Sequence, residues 1–393
     1  MTAVGEDERV TDPLTVLSLD QLRTRRSVKW RRYDPDVLPL WLAEMDTPLA
    51  PPIAAVLAAA IARGDTGYVD PGALPESFAG YATRRWGWSP DPARMAVVPD
   101  VLQGIQEVVQ LVSEPGDGVV VNTPAYPPFF AFLAAVGRTV VTSPLGRTDG
   151  GGFFLDLERL EHDLARPEVT VYLGCNPQNP TGLVLRPDKL AEVAAIAGRH
   201  GVRVLMDEIH APITYPGVTH TPYATVPGAD SSIVFVSASK AWNLPGLKAA
   251  LAVAAGDASW ADLSRLPPEA IFGAGLLGVI ASEAAWTDGE AWLAALMTGL
   301  HRNREVFAGL LAEHLPEVRY HPPDATYLAW LDLRRLGLGD DPAAALVERA
   351  RVALSPGPTF GEEGRGYARL NLATSPVILT EAVRRIAASL RAA

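Results

Sequence analysis

Short apolar segments alternate with helix-like segments through the first 255 residues, and this alternation constrains the fold more than any other feature of the sequence. The strand-like segments span residues 118–122, 139–143, 169–174, 202–206, 233–236 and 249–254. Helix-like segments accompany them at residues 101–112, 156–165 and 189–200. Strands and helices at this spacing predict a mostly parallel sheet, covered by helices on both faces.

A smaller α+β domain is predicted after the sheet. Residues 290–314 carry apolar side chains close to the i, i+3/i+4, i+7 spacing of a long helix, and strand-like and helix-like segments follow at 326–332, 342–351, 366–373 and from Thr380. We therefore expect an N-terminal arm with part of the small domain at 1–45, a large α/β domain at 46–289 and a small domain at 290–393. Residues 1–14 are expected to form a mobile tail.

Two stretches before residue 50 complete the prediction. The basic cluster at residues 23–29 is expected to be a solvated face, and residues 38–46 form a short apolar extended segment. A helix is expected at 53–63, because prolines precede an alanine-rich run there.

Charge and composition narrow the class of partner. The formal net charge is −11 and no block of lysine and arginine offsets it, which disfavours binding to nucleic acid or to an anionic membrane. Cys175 is the only cysteine, so no disulfide framework or cysteine-based metal site is expected. No apolar run approaches the ~18 residues of a membrane helix. We expect a cytoplasmic protein that acts on a small molecule.

Polar and aromatic residues gather where the predicted strands end, at the edge where open α/β sheets bind ligands. They are Tyr126, Asn179, Asp207, His210 and Lys240. Alone, a lysine after a strand is most often solvated. Together, the five supply what pyridoxal 5′-phosphate (PLP) requires: an amine for a Schiff base, a carboxylate for the pyridine nitrogen, a donor for the ring oxygen and an aromatic ring to stack on it.

Four separated motifs resemble the fold-type I PLP enzymes, the aspartate aminotransferase superfamily. They are Asn-Pro-Gln-Asn-Pro-Thr-Gly at 176–182, Asp-Glu-Ile-His at 207–210, Ser-Ala-Ser-Lys at 237–240 and Arg-Leu-Asn at 369–371. Within that superfamily the chain is most similar to the MalY/PatB group of carbon–sulfur β-lyases. The stretches that carry this finer similarity are residues 25–30, 38–46 and 325–332.

The resemblance implies a role for each residue around the cofactor ring. Lys240 would form the Schiff base and then move the substrate α-proton, and Asp207 would pair with the pyridinium. Tyr126 would stack on the ring, while Asn179 and His210 would reach its phenolic oxygen side. Lys240, Tyr126 and Asp207 are thus the predicted catalytic residues.

The same resemblance implies a phosphate site and a substrate clamp. The phosphate would bind the backbone amides of Val101 and Leu102 together with Ser237 and Lys248. Tyr68 would reach the phosphate of the neighbouring subunit, which requires a homodimer with active sites at its interface. Arg369 would bind the substrate α-carboxylate through its planar fork.

The function implied is β-elimination of L-cystathionine or a related L-cysteine S-conjugate to a thiol, pyruvate and ammonia. An aminotransferase uses the same groups and is the main alternative. A variant that processes a specialised-metabolite S-conjugate and a regulatory protein that retains the fold are two others.

Some positions depart from the pattern of the MalY/PatB group, and others are expected to have a structural role only. Gln178 stands where these lyases often have histidine, and Asp100 stands in the phosphate loop where glycine is common. Glu208 is expected to be structural, and Tyr327 and Trp330 are expected to belong to the core.

Overall fold

The computed structural model describes residues 11–391, so most of the predicted N-terminal tail lies outside the described residues. The last residues of that predicted tail are packed against the protein. Leu14 is fully buried, and Asp12 forms an ion pair with Arg302 of the long helix. The prediction of mobility is therefore wrong for residues 12–14.

The strands form one large sheet, one small sheet and two short pairs. The strands in chain order are β1 (Leu38–Pro39), β2 (Met95–Val98), β3 (Gly118–Thr123), β4 (Thr139–Pro144), β5 (Gly146–Arg147), β6 (Phe153–Phe154), β7 (Val169–Cys175), β8 (Arg203–Asp207), β9 (Ile233–Val236), β10 (Ala250–Ala254), β11 (Arg319–Tyr320), β12 (Leu328–Asp332), β13 (Val352–Ala353), β14 (Ser355–Pro356) and β15 (Tyr367–Asn371).

The large sheet has seven strands in the order β2-β10-β9-β8-β7-β3-β4. Neighbouring strands from β9 to β4 are parallel, and β10 alone runs antiparallel to both of its neighbours. The predicted mostly parallel sheet is confirmed. Because the strands β7, β8 and β9 point the same way, the residues that follow each of them meet at one edge.

The helices are α1 (Leu19–Arg23), α2 (Val28–Arg31), α3 (Pro51–Ala62), α4 (Leu74–Trp86), α5 (Val101–Val112), α6 (Pro127–Ala135), α7 (Leu157–Leu164), α8 (Pro187–His200), α9 (Asp257–Leu263), α10 (Pro268–Phe272), α11 (Leu276–Asp288), α12 (Glu290–His314), α13 (Pro342–Ala350) and α14 (Pro376–Arg391). Local chemistry sets their ends. For example, Asp100 caps the first turn of α5, and Gly201 ends α8 in the left-handed conformation that glycine adopts without strain.

Side chains of the large sheet alternate between two hydrophobic cores. On β9, Val234 and Val236 face one core while Ile233 and Phe235 face the other. All four side chains are buried, as expected for strands covered on both faces. Helices therefore pack on both sides of the sheet, which leaves its strand ends as the accessible edge.

The small sheet is antiparallel, in the order β11-β12-β15-β14. It has its own hydrophobic core, to which α12, α13 and α14 contribute Phe307, Leu346 and Leu379. The strand pair β1–β13 ties residues near the N-terminus to this part of the chain. The exact domain boundaries at 45/46 and 289/290 stay a prediction.

The prediction of a solvated basic cluster is wrong at Lys29. Its ammonium group lies 2.7 Å from the Asp46 carboxylate, and both side chains are within 1% of complete burial. The sequence gives no sign of this pairing, because the two residues meet only when residues 40–47 fold back across α2. We call residues 40–47 the N-terminal strap.

Candidate active site

A cavity of about 190 Å³ lies at the C-terminal edge of the large sheet, against the first turn of α5. This volume is below the roughly 300–1,000 Å³ typical of pockets for drug-sized ligands, so it suits a single small molecule. Eight of the eleven predicted site residues line it: Val101, Leu102, Tyr126, Asn179, Asp207, His210, Lys240 and Lys248. The loops after β3, β7, β8 and β9 bring these distant parts of the sequence together.

Lys240 and Asp207 form a pair of groups whose pKa values are shifted toward each other. Loss of hydration lowers the pKa of Lys240 to about 8, and the nearby Arg369 cation adds to the effect. Burial raises the pKa of Asp207 to about 7, against a hydrogen bond of 3.0 Å from the Ile209 backbone N–H. The Lys240 amine donates to the carbonyl oxygen of Ala43 at 3.0 Å. The amine is thus held in place while its neutral form is within reach at neutral pH.

His210 lines the cavity and carries an unsatisfied polar atom. Its ring is buried, and Nδ1 has no hydrogen-bond partner in the structure. Burial, together with the Lys240 and Arg369 cations, lowers the pKa of His210 to about 3, so the imidazole is neutral near pH 7. A buried polar atom without a partner is costly unless a ligand completes it.

Arg369 is a buried cation bound only by neutral groups. It donates to Asn179 Oδ1 at 2.9 Å, to Ser355 Oγ at 3.1 Å and to the carbonyl oxygen of Trp41 at 3.2 Å. None of the ion pairs among residues 11–391 includes it, and its Nε is unsatisfied. Burial lowers the pKa of Arg369 to about 10, which leaves it charged at neutral pH. A buried charge in this state favours binding of an anion.

Three predicted residues do not line the cavity: Arg369, described above, and Ser237 and Tyr68. Ser237 is buried behind it, where its hydroxyl donates to the Ala249 carbonyl at 2.7 Å and accepts from the Ser239 N–H. Ser239 lines the cavity instead. Tyr68 is 92% exposed and packs edge-on against Phe272, outside the cavity of its own chain.

The N-terminal strap supplies groups that the sequence analysis missed. Its carbonyl oxygen at Ala43 accepts from Lys240 and also from the Tyr327 hydroxyl at 3.1 Å. Asn243 binds both the N–H and the carbonyl of Met45, at 2.8 and 2.9 Å. On the strap side these contacts use backbone atoms, which every residue has, so the residue types of the strap do not indicate them. The position of Asn243, three residues after Lys240, was the one available signal.

Other modest predictions agree with the structure. Tyr327 and Trp330 are buried core residues. Glu208 is buried and accepts from the Tyr223 N–H at 2.7 Å, with His220 Nε2 3.1 Å away. Gln178 donates to the Pro124 carbonyl at 2.6 Å, so it supports the turn that carries Tyr126.

These residues fit PLP on structural grounds. The cavity combines an amine of lowered pKa, a buried carboxylate, an unsatisfied imidazole nitrogen and an aromatic wall at Tyr126. The first amides of α5 and the Lys248 ammonium stand at one end, as an anionic phosphate requires. Fold and site together define a PLP-dependent enzyme of fold type I.

The chain belongs to the class I and II aminotransferase family, whose sequence profile matches residues 39–386. A Mycobacterium tuberculosis protein named "Putative cystathionine beta-lyase" is 46% identical over 97% of this chain and 99% of its own length. Cystathionine beta-lyase of Corynebacterium glutamicum is 36% identical, with 95% and 99% covered. The predicted relationship to fold-type I enzymes of the MalY/PatB group is confirmed.

Solved structures agree in fold and cofactor. The PLP-bound C-S lyase of Staphylococcus hominis has a TM-score of 0.86 and 25% identity, covering 93% of this chain and 96% of that one. PLP is thus the cofactor of this family, as predicted. No helix within residues 11–391 has the length and hydrophobicity needed to cross a membrane.

Proposed function

We propose that the protein is a PLP-dependent carbon–sulfur β-lyase that cleaves L-cystathionine or a related L-cysteine S-conjugate. With cystathionine, one water is consumed and homocysteine, pyruvate and ammonia are released. The observation that carries the proposal is the full-length similarity to cystathionine β-lyases, joined to one cavity that gathers Lys240 and Asp207 beside Arg369.

Arg369 is the proposed anchor for the substrate. The buried guanidinium has no anionic partner among the described residues. A substrate α-carboxylate would be that partner and would accept two parallel hydrogen bonds from it. Asn179 and Ser355 already fix the plane of the guanidinium, so little side-chain freedom would be lost on binding. The substrate α-carbon would then be held in a defined orientation beside Lys240.

Lys240 is the proposed acid and base. When bound, PLP supplies an electron sink that makes the α-proton of an amino acid removable. A lysine with a pKa of about 8 is partly neutral near pH 7 and can accept that proton, whereas an ordinary lysine with a pKa near 10.4 is almost fully protonated already. Its contact with the Ala43 carbonyl limits the directions in which the amine can move.

The remaining residues would hold the ring. Asp207 would face the pyridine nitrogen, where a positive charge would keep the carboxylate ionised despite its burial. His210 Nδ1 and Asn179 would contact the phenolic oxygen side, and the Tyr126 ring would cover one face. Tyr68 would act across the interface of a homodimer.

The test is to incubate the PLP-loaded protein with L-cystathionine, without a 2-oxo acid, while pyruvate and free thiol are measured. Equal amounts of both products support the lyase. K240A should abolish turnover and borohydride trapping of PLP, whereas K189A, at a half-exposed lysine of α8, should change neither.

The family to which the chain belongs also favours a second candidate, an aminotransferase. If no pyruvate or thiol appears but a 2-oxo acid is converted to a new amino acid, the aminotransferase replaces the lyase. If both assays are negative, a specialised S-conjugate or a regulatory role is favoured.

A further inference from the structure

The carboxylate of Asp100 binds the side-chain cation of the proposed phosphate site and caps the helix that carries the backbone amides of that site. Its Oδ1 accepts from the Gln103 backbone N–H in the first turn of α5, at 2.8 Å. Its Oδ2 lies 2.7 Å from the ammonium of Lys248. One side chain therefore places its negative charge on the cation that a phosphate would use and beside the end of α5 that carries the Val101 and Leu102 amides. Asp100 itself lines the cavity.

Few cations in the cavity are available to balance the charge of a phosphate. Lys240 and Lys248 are the cations among the described residues that line the cavity, and Lys240 is proposed to react with the cofactor aldehyde. Lys248 alone is left to balance the phosphate, which carries about −1.5 to −2 charges at pH 7. Asp100 already neutralises Lys248. A phosphate must therefore share that ammonium with a carboxylate or displace it.

The backbone of Lys248 is held in place by a hydrogen bond, while its side chain is free to change partners. The Lys248 carbonyl accepts from the Gly275 N–H at 2.8 Å, which ties the loop to the residue before α11. The Lys248 side chain is 54% exposed and that of Asp100 is 35% exposed. An ammonium on a flexible, half-exposed stem can turn from carboxylate to phosphate without movement of the backbone.

We propose that Asp100 is a built-in competitor of the cofactor phosphate. It caps α5 at the Gln103 N–H and pairs with Lys248 when PLP is absent, and it lowers the affinity for the phosphate when PLP is present. The inference rests on the proposed PLP-dependent function, and it adds a residue that sets cofactor affinity. Its effect should be specific to the phosphate, because the aldehyde and the ring would contact other residues.

The test compares two ligands in the PLP-depleted protein: PLP, and pyridoxal, which lacks the phosphate. The variants are D100N and D100S, since asparagine and serine preserve the helix cap but remove the charge. Dissociation constants are measured by quenching of tryptophan fluorescence. Both variants should bind PLP about tenfold more tightly than the parent, as expected for removal of one nearby like charge. Their affinity for pyridoxal should be unchanged.

Asp341 provides a matched control. It caps α13 by accepting from the Ala344 N–H at 3.2 Å and does not line the cavity. D341N should therefore leave the affinities for PLP and pyridoxal unchanged. As a second measurement, inorganic phosphate should raise the melting temperature of PLP-depleted D100N more than that of the parent.

Each outcome decides the inference. Equal or weaker PLP binding in both Asp100 variants overturns it, and so does tightening of pyridoxal to the same degree. If the parent binds no PLP at all, the proposed function and this inference fail together. If the variants bind PLP as expected but the parent yields no lyase products, the proposed function fails and the role of Asp100 stands.

Discussion

Replacing Lys29 by methionine should destabilise the protein by about 3–5 kcal/mol, the usual cost of removing one partner of a buried ion pair. The Asp46 carboxylate would keep only the Trp30 indole N–H, at 3.2 Å, after losing the ammonium at 2.7 Å. The Glu44 carbonyl would lose its bond of 2.9 Å from the same ammonium. Methionine fills a similar volume, so the loss measures charge and hydrogen bonding more than packing.

The assay is urea unfolding of the PLP-depleted protein, followed by tryptophan fluorescence. K189M is the matched control, because Lys189 also pairs with a carboxylate, at 2.8 Å, but both side chains are about half exposed. An exposed pair contributes only about 0–1 kcal/mol. The double variant K29M/D46L should be more stable than K29M, since it no longer buries an uncompensated carboxylate.

Two results would refute this reasoning. One is a loss in K29M no larger than that in K189M. The other is a double variant less stable than K29M, which would mean that Asp46 stabilises the N-terminal strap without its cation.

Three further outcomes are expected. Burial lowers the pKa of His210 to about 3, so the unfolded chain, with a histidine pKa near 6.5, takes up a proton that the folded chain excludes. Acidifying the PLP-depleted protein from pH 7 to pH 5 should therefore destabilise the parent by about 2 kcal/mol more than H210Q in urea unfolding. R369K keeps the charge but loses the planar fork, so KM for L-cystathionine should rise about tenfold to hundredfold while the dissociation constant of PLP is unchanged. A Cβ on Gly278 would overlap the backbone oxygen of Leu247, so G278A should lower the melting temperature and weaken PLP binding, whereas G198A, with open space around it, should do neither.

The large sheet was predictable because its signal is local. Each buried strand is a short apolar run, and the helices between the strands show the 3.6-residue period. The bounds of α5, β9 and α12 match the predicted 101–112, 233–236 and 290–314. The starts of two predicted helices were placed too late. Proline begins α3 at Pro51 and α14 at Pro376, where its fixed φ suits the first helical turn, whereas the predicted starts were residue 53 and Thr380.

The candidate site was predictable where side-chain chemistry carries it. Lys240, Asp207 and Arg369 are identified by residue type and motif. The hydrogen bond from Lys240 to the Ala43 carbonyl could not be predicted, because every residue has a carbonyl and only the fold determines which one lies beside the amine. The exchange of Ser237 for Ser239 at the cavity wall has the same origin, since two serines two residues apart are equivalent in sequence.

The N-terminal strap also has a mechanical consequence. Asn243, in the loop after β9 of the large sheet, donates a hydrogen bond to the Met45 carbonyl of the strap. Asn371, at the end of β15 in the small sheet, donates to the Leu42 and Glu44 carbonyls, each at 2.7 Å. A rotation of one sheet relative to the other would strain the hydrogen bonds from both asparagines. The Ala43 carbonyl lies between them, so such a rotation would be felt at the Lys240 amine as a change in direction of its hydrogen bond.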